Sequence, residues 1–172
     1  MKNKINIRLI IFIAIIVIAI VAVIFGIAKG VKARKASTGL REVTPDEYKQ
    51  VVEKEGYVIN DTTETLANYP YIKSAIMAVS EDSTYEIEYY LFEDEKDSFN
   101  FLENKKMAIS MLAGDKGTED SVEEGKYARY CVQTDQYYCA VFVYGKSVVC
   151  SDVKIDLKDT VDNIARKLGY LE

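Results

Sequence analysis

The sequence predicts an α+β domain: an antiparallel sheet of about five to six strands with helices packed on one face, in the order αβββ–αβββ–α, preceded by one N-terminal transmembrane helix. Three observations predict it. Residues 1–41 carry eight Lys/Arg and no acid around an unbroken apolar run, whereas residues 42–172 carry all 27 acids against 14 bases, a net charge of −13. Short stretches beyond residue 57 alternate apolar and polar side chains, the period of a strand with one wet face. Segments with helical spacing and recognisable caps separate those stretches.

Residues 1–8 form a basic N-terminus with Lys2, Lys4 and Arg8. Residues 9–28, LIIFIAIIVIAIVAVIFGIA, hold no charge. As a helix they cover roughly 30 Å, a bilayer core. The run is longer than the apolar region of a cleaved signal peptide and lacks a fitting cleavage site, so an uncleaved signal-anchor is expected. Residues 29–42 then make a basic juxtamembrane linker, read as a tether, with contact to anionic headgroups as the sharper alternative. Lysines and arginines flank the span almost equally. The short N-terminus is expected to stay in the cytoplasm, which places the acidic domain, residues 43–172, outside the cell. An acidic field repels nucleic acid, so none is expected as a partner. The expected partners are the membrane and a protein or envelope component.

In the domain, Thr44, Pro45 and Glu47 spell an N-cap, a first-turn proline and a capping box, and Gly56 stops that helix. Residues 57–61 read as a short strand, and 62–70 as a turn broken by Pro70. Residues 72–80 and 84–93 read as a hairpin whose second strand, with Glu86, Glu88 and Tyr90 alternating with Tyr85, Ile87 and Tyr89, is half exposed. A helix follows over 94–114, with Phe99, Leu102, Ile109 and Leu112 near helical spacing. DKGTEDSVEEG, residues 115–125, reads as an acidic loop. Strands are expected near 127–134, 137–144 and 147–153, and a last helix over 158–168 stops at Gly169. The endings EKEGY and RKLGY hint at a duplicated half.

All three cysteines fall between residues 131 and 150, spaced C-x₇-C-x₁₀-C, and the chain has no histidine. That excludes the common zinc and iron–sulfur patterns and leaves a cysteine nucleophile without its usual base. Core packing is the favoured reading. Only Cys139 and Cys150 could form a disulfide: they lie opposite if the last hairpin turns at Tyr144-Gly145, and one diagonal step apart if it turns at Gly145-Lys146. Cys131 shares their face only if the preceding loop has an odd count.

Thirteen tyrosines stand against no tryptophan. Strand tyrosines usually reflect β-propensity and half-burial. If a binding face exists, Tyr89, Tyr90, Tyr137 and Tyr138 are its candidates, since one of each adjacent pair would face an uncovered side of the sheet. Ser151 to Lys154 formally match S-x-x-K, but residues three apart in a strand point to opposite faces. The acidic loop lacks the EF-hand alternation, leaving at most a weak Ca²⁺ contact by Glu119, Asp120 or Glu123. Asn60-Asp61-Thr62 is a bare sequon. No phosphate-binding glycine loop occurs, and no cofactor or metal is expected.

TPDEYKQVVEKEGYVINDTTE, IKSAIMAVSEDSTYEIEYYLFEDEKDSFNFLENKK and IARKLGYLE resemble a family of small membrane-anchored α+β proteins of Gram-positive, clostridial-type bacteria. The resemblance covers most of residues 43–170. It implies an extracytoplasmic α+β domain and carries over no functional residues. The sequence thus predicts a non-enzymatic, membrane-anchored domain that binds a protein, peptide or envelope component. The alternative is an accessory subunit of a membrane complex acting through its transmembrane helix, with Ala14, Ala19, Ala22 and Gly26 as a packing stripe and the domain in the cytoplasm. An enzyme ranks third, for want of histidine, paired acids in an apolar setting, or a cofactor loop.

Overall fold

A computed structural model describes residues 40–114 and 117–172. The expected transmembrane segment 9–28 lies outside the described residues, and among these no helix is long and apolar enough to cross a membrane. The elements are α1 (Pro45–Lys54), β1 (Val58–Asp61), a 3₁₀ turn (Thr63–Leu66), β2 (Ile72–Val79), β3 (Glu86–Phe92), α2 (Glu95–Ala113), β4 (Thr118–Glu124), β5 (Tyr127–Gln133), β6 (Tyr137–Tyr144), β7 (Ser147–Lys154), a 3₁₀ turn (Ile155–Leu157) and α3 (Lys158–Leu168).

The fold is α+β, with a seven-stranded antiparallel sheet in the order β1-β2-β3-β7-β6-β5-β4. Two meanders, β1–β3 and β4–β7, join where β7 pairs with β3. Between them the chain crosses the sheet as α2 and re-enters at the far edge as β4, so the second meander returns to the middle. The predicted capping box forms: Thr44 Oγ1 accepts from Glu47 N and Glu47 Oε2 from Thr44 N.

Two expectations fail. The segment read as an acidic loop contains β4, the seventh strand, paired along its length with β5 from Thr118↔Gln133 to Glu124↔Tyr127. Backbone pairing makes it a strand although only Val122 is a large apolar residue. The helices, moreover, cover both faces rather than one. On one face α1 and α3 bury Tyr48, Val52, Val161, Ile164 and Leu168 against Ile76, Ile87, Tyr89, Phe142 and Val149. On the other, α2 buries Phe101, Leu102 and Ile109 against Tyr90, Phe92, Val132, Val141 and Cys150. A sheet covered twice needs apolar side chains on both faces of its central strands, which is what CAVFV (139–143) and SVVC (147–150) supply. For the same reason β3 is not half exposed: Ile87 and Glu88 are both buried.

Candidate functional site

The tyrosines proposed as a binding face do not form one. Tyr89 and Tyr90 are buried, stacked under opposite layers of helix. Tyr89 donates to the Val43 carbonyl (2.7 Å) and its ring lies 4.9 Å from that of Tyr48. Tyr90 donates to Glu88 (2.7 Å) and packs on Phe101. Tyr138 is buried with its hydroxyl on Asp162 (2.7 Å), and Tyr137 alone is exposed. With helices on both faces, alternation moves a side chain from one core to the other instead of out to solvent.

The cysteines are free and buried. The last hairpin turns at Gly145-Lys146, with Tyr144↔Ser147 as its closing pair. Gly145 is held there by its φ of +58° and by the Glu42 carboxylate, which crowds the space a Cβ would take. Cys139 therefore opposes Asp152, and Cys150 opposes Val141, one diagonal step away on the α2 face. Diagonal neighbours stand roughly 7–8 Å apart, too far for a disulfide without backbone movement. Cys131 faces the other core. Burial pushes its thiol up to about 11 and raises the thiols of Cys139 and Cys150 as well. In the native domain at pH 8 none of the three is expected to react appreciably with a thiol-specific reagent, and all three should react once urea unfolds it. Labelling of the native protein within tenfold of free cysteine would contradict this.

Where the sheet outruns its helices, a groove of about 560 Å³ remains. Its floor is the α3-side face of the last strands at one end of the sheet, with Thr118, Asp120, Val122 and Glu124 from the edge strand β4, Tyr127, Arg129, Cys131 and Gln133 from β5, and Tyr138 from β6. Its wall is the flank of α3, with Lys158, Asp162 and Arg166, and Leu40, Tyr170, Leu171 and Glu172 complete the lining. Opposite charges alternate through it. Arg129 Nη2 donates to Asp120 (2.6 Å), Lys158 Nζ to Asp162 (2.6 Å), and Arg166 Nε to the Glu172 carbonyl (3.2 Å). Among the described residues, the Arg129 Nε is buried with no partner. The Lys158 ammonium sits 5.0 Å from the centre of the Tyr138 ring. Groove volume and lining fit a ligand of drug or short-peptide size that offers hydrogen bonds and charges of both signs.

The second polar assembly, under α2, was missed. Glu88 on β3 is 2% exposed and accepts from Tyr90 Oη (2.7 Å) and the Cys150 thiol (3.5 Å). Lys105 on α2 places Nζ 3.9 Å from the same carboxylate oxygen. Burial is the largest influence and works against the Lys105 charge, but Glu88, Cys150, Asp152 and Cys139 together outweigh it and hold the ammonium above the ordinary lysine range. Beside this pair, Cys139 donates to Asp152 (3.2 Å) across a small crevice of about 40 Å³. Acids in an apolar setting therefore do exist in this chain, contrary to the sequence reading. They read as an internal ion pair because the space of about 40 Å³ beside them has room for no more than a water or two.

Glu86, at the rim of this assembly, is pushed up to about 7 by burial and by the Glu88 charge, against the pull of Lys105. The native state therefore binds a proton that the unfolded chain releases near pH 4.5. Stability from this group is full below that point and declines as pH rises to about 7. Glu86→Gln is expected to flatten that decline, leaving the acid side unchanged. Urea midpoints across pH 4–8 measure it, and parallel curves for the two proteins would contradict it.

No family model matches the chain, and comparison with curated proteins returns no match. Among solved structures it is similar to a crystal structure titled a GTP binding regulator from Thermotoga maritima, at 11% identity over 74% of this chain and 88% of that one, with a TM-score of 0.39. A likeness of that size carries no functional argument.

Proposed function

We propose that this chain is a membrane-anchored domain of the small Gram-positive kind it resembles, held outside the cell by residues 9–28. Its β4–β5/α3 groove captures a protein or peptide segment of the envelope. The single observation that carries the reading is the groove itself. It combines about 560 Å³ of concave surface with three cations, each already engaged by a carboxylate or carbonyl, and a buried Arg129 Nε without a partner among the described residues. A peptide presents what such a lining exchanges for: main-chain amides and carbonyls, with charged side chains of both signs. Binding, not turnover, is the role proposed. Arg129 and Lys158 are pinned at 2.6 Å to their carboxylates, and Arg166 is held by the Glu172 carbonyl, instead of being directed at an open reacting centre.

The test places a photo-crosslinking residue at Val122, on the groove floor, in the full chain expressed in intact cells. A matched protein carries it at Glu103, exposed on the far side of the sheet. A discrete partner adduct from position 122 only, lost in the Arg129→Ala chain, supports the reading. Identical adducts from both positions, or none from 122, reject it. External protease on the same cells checks the side of the membrane: a domain cleaved only after lysis would reject the extracytoplasmic placement.

A further inference from the structure

The two faces of the sheet are unequally covered. On the α1/α3 side Ile76 and Ala78 of β2 are buried, whereas on the α2 side Met77 and Val79 are only half-buried. The course of α2 is the reason. Its start is tied to the β6–β7 turn by Ser98 Oγ on the Gly145 carbonyl (2.6 Å), and its end to β5 by Ser110 Oγ on Tyr130 Oη (2.8 Å). The helix therefore runs obliquely towards the β4 edge and leaves β1, β2 and the start of β3 uncovered. The register names the floor of that trough. Val58 opposes Val79, Val79 opposes Glu86, and the step after Ile87↔Ser151 sets Glu86 against Asp152. The wall is the end of α2, where Leu112 reaches the crevice beside Asp152. Val58, Met111 and Leu112 are three of the five exposed large apolar side chains among the described residues. Three strand spacings separate β1 from β7, roughly 14 Å, the room one helix needs.

The same floor sets the charge of an occupant. Glu86 and Asp152 are like charges opposite each other on neighbouring strands, an arrangement that costs stability and that a cation between them relieves. Glu88, two residues along β3, adds a third carboxylate and has the Lys105 ammonium of α2 at 3.9 Å. The other groups around Glu86 are the thiols of Cys139 and Cys150, the apolar Val79 of β2, and Lys154, an exposed base further along β7. A second cation, brought in over the trough, neutralises acids that α2 serves with one. A bilayer is a poor occupant, since these acids repel anionic headgroups. A second copy related by a two-fold axis is no better, because it lays the same acids on themselves.

We propose that the trough docks an amphipathic helix of a partner protein whose apolar face carries one lysine or arginine. Its apolar side chains pack on Val58, Met77, Val79 and Leu112, and its cation enters between Glu86 and Asp152. The docked helix lies beside α2 and gives this face the second helix that α1 and α3 give the other. The site is independent of the β4–β5/α3 groove, which lies on the opposite face of the sheet.

The test uses the purified full chain in phosphatidylcholine nanodiscs, with empty nanodiscs as the baseline. The probes are three stapled helical peptides of about five turns, with a leucine and alanine face and a glutamine face. They differ only in a Lys, Gln or Glu at the centre of the apolar face. By fluorescence anisotropy the Lys peptide is expected to bind about tenfold more tightly than the Gln peptide, and the Glu peptide not at all. Burial and the Glu88 charge let Glu86 keep its proton up to about pH 7, and a docked cation favours the ionised form. The Lys peptide should therefore bind about tenfold more tightly at pH 8 than at pH 6, and the Gln peptide equally at both. Glu86→Gln, expected to be no less stable than the parent near pH 7, should erase the preference for Lys. Leu112→Gln should weaken the Lys and Gln peptides alike and keep their order. Equal binding of those two, a preference that survives Glu86→Gln, or no binding by any peptide overturns the inference. A photo-crosslinking residue at Met111 that joins only differently tagged copies of the chain overturns it too, and assigns the trough to a second copy. None of these results bears on the groove, which position 122 tests from the other face.

Discussion

Lys105→Met is expected to destabilise the domain by about 3–5 kcal/mol, the cost of leaving a buried charge unpaired. The lysine side chain is 11% exposed and the Glu88 side chain 3%, so water cannot take over either charge. Removing the ammonium strands a carboxylate among Tyr90, Cys150, Cys139 and Ile109, with only a phenol and a thiol donating to it. Against a total stability of about 5–15 kcal/mol for a domain this size, the loss brings the protein close to unfolding at growth temperature. Glu88→Gln should cost less, since the amide keeps an acceptor for Tyr90. The double change Glu88→Leu with Lys105→Met should cost clearly less than the two single changes summed, because it removes both charges together. Urea unfolding of the parent, Glu88→Leu, Lys105→Met and the double protein measures the coupling, with Glu88→Gln as a fifth protein. A Lys105→Met protein within about 1 kcal/mol of the parent would mean that the lysine reaches water by another rotamer and that the pair is not the lock on α2.

This pair also marks where the sequence stops being readable. Elements with a local cause could be read: the capping box of α1 from Thr44 and Glu47, the αL stop at Gly169, the Gly145-Lys146 turn as one of two open registers, and the β2–β3 hairpin from the turn residues between its strands. What a distant segment decides could not. β4 has no pattern of its own, because its pairing comes from the backbone of β5, and TEDSVEE looks like any solvated acidic stretch. The number of layers was misjudged through β3. Glu86 and Glu88 alternate like a wet face but are the underside of α2, and the signal that corrects this lies in β6 and β7, whose apolar runs leave no polar face. Lys105 was equally open to detection. It falls on the inward line Ser98, Leu102, Lys105, Ile109 at helical spacing, a position where a lysine needs an acid opposite. The groove was out of reach for a different reason. It exists because the edge strand β4 and its neighbour β5 outrun α3, a fact about layer widths and not about any motif. The four tyrosines drew attention through their number alone, whereas the groove's chemistry sits on Asp120, Arg129, Lys158 and Asp162, charges that a linear reading scatters over 43 residues.

The last four residues should matter more than their position suggests: Tyr170→Ala is expected to cost about 3–5 kcal/mol, and Tyr170→Phe about 1 kcal/mol. Past the helix stop at Gly169, the Tyr170 amide returns to the Ala165 carbonyl (2.8 Å) and turns the ring inward, where it is fully buried beside Phe142. Its hydroxyl is 2.6 Å from Ser147 Oγ, which donates to Tyr144 and accepts from the Val43 amide. Its carbonyl takes the Tyr127 hydroxyl at 3.0 Å. The Tyr170 side chain thus ties the point where the chain enters the domain and the β6–β7 turn to the C-terminus, and its backbone carbonyl adds the first residue of β5. Removing the ring opens a cavity in the α1/α3 core and frees Leu171 and Glu172, which line the groove next to Leu40. Removing only the hydroxyl leaves Ser147 with both its other partners, so the core stays filled and the groove keeps its wall. Capture through position 122 should accordingly survive Tyr170→Phe and be lost with Tyr170→Ala. If the two proteins lose equal stability in urea, the hydroxyl network and not the packed ring is what fastens the C-terminus. The groove would then depend on a single hydrogen-bonded serine at the turn opposite the incoming chain.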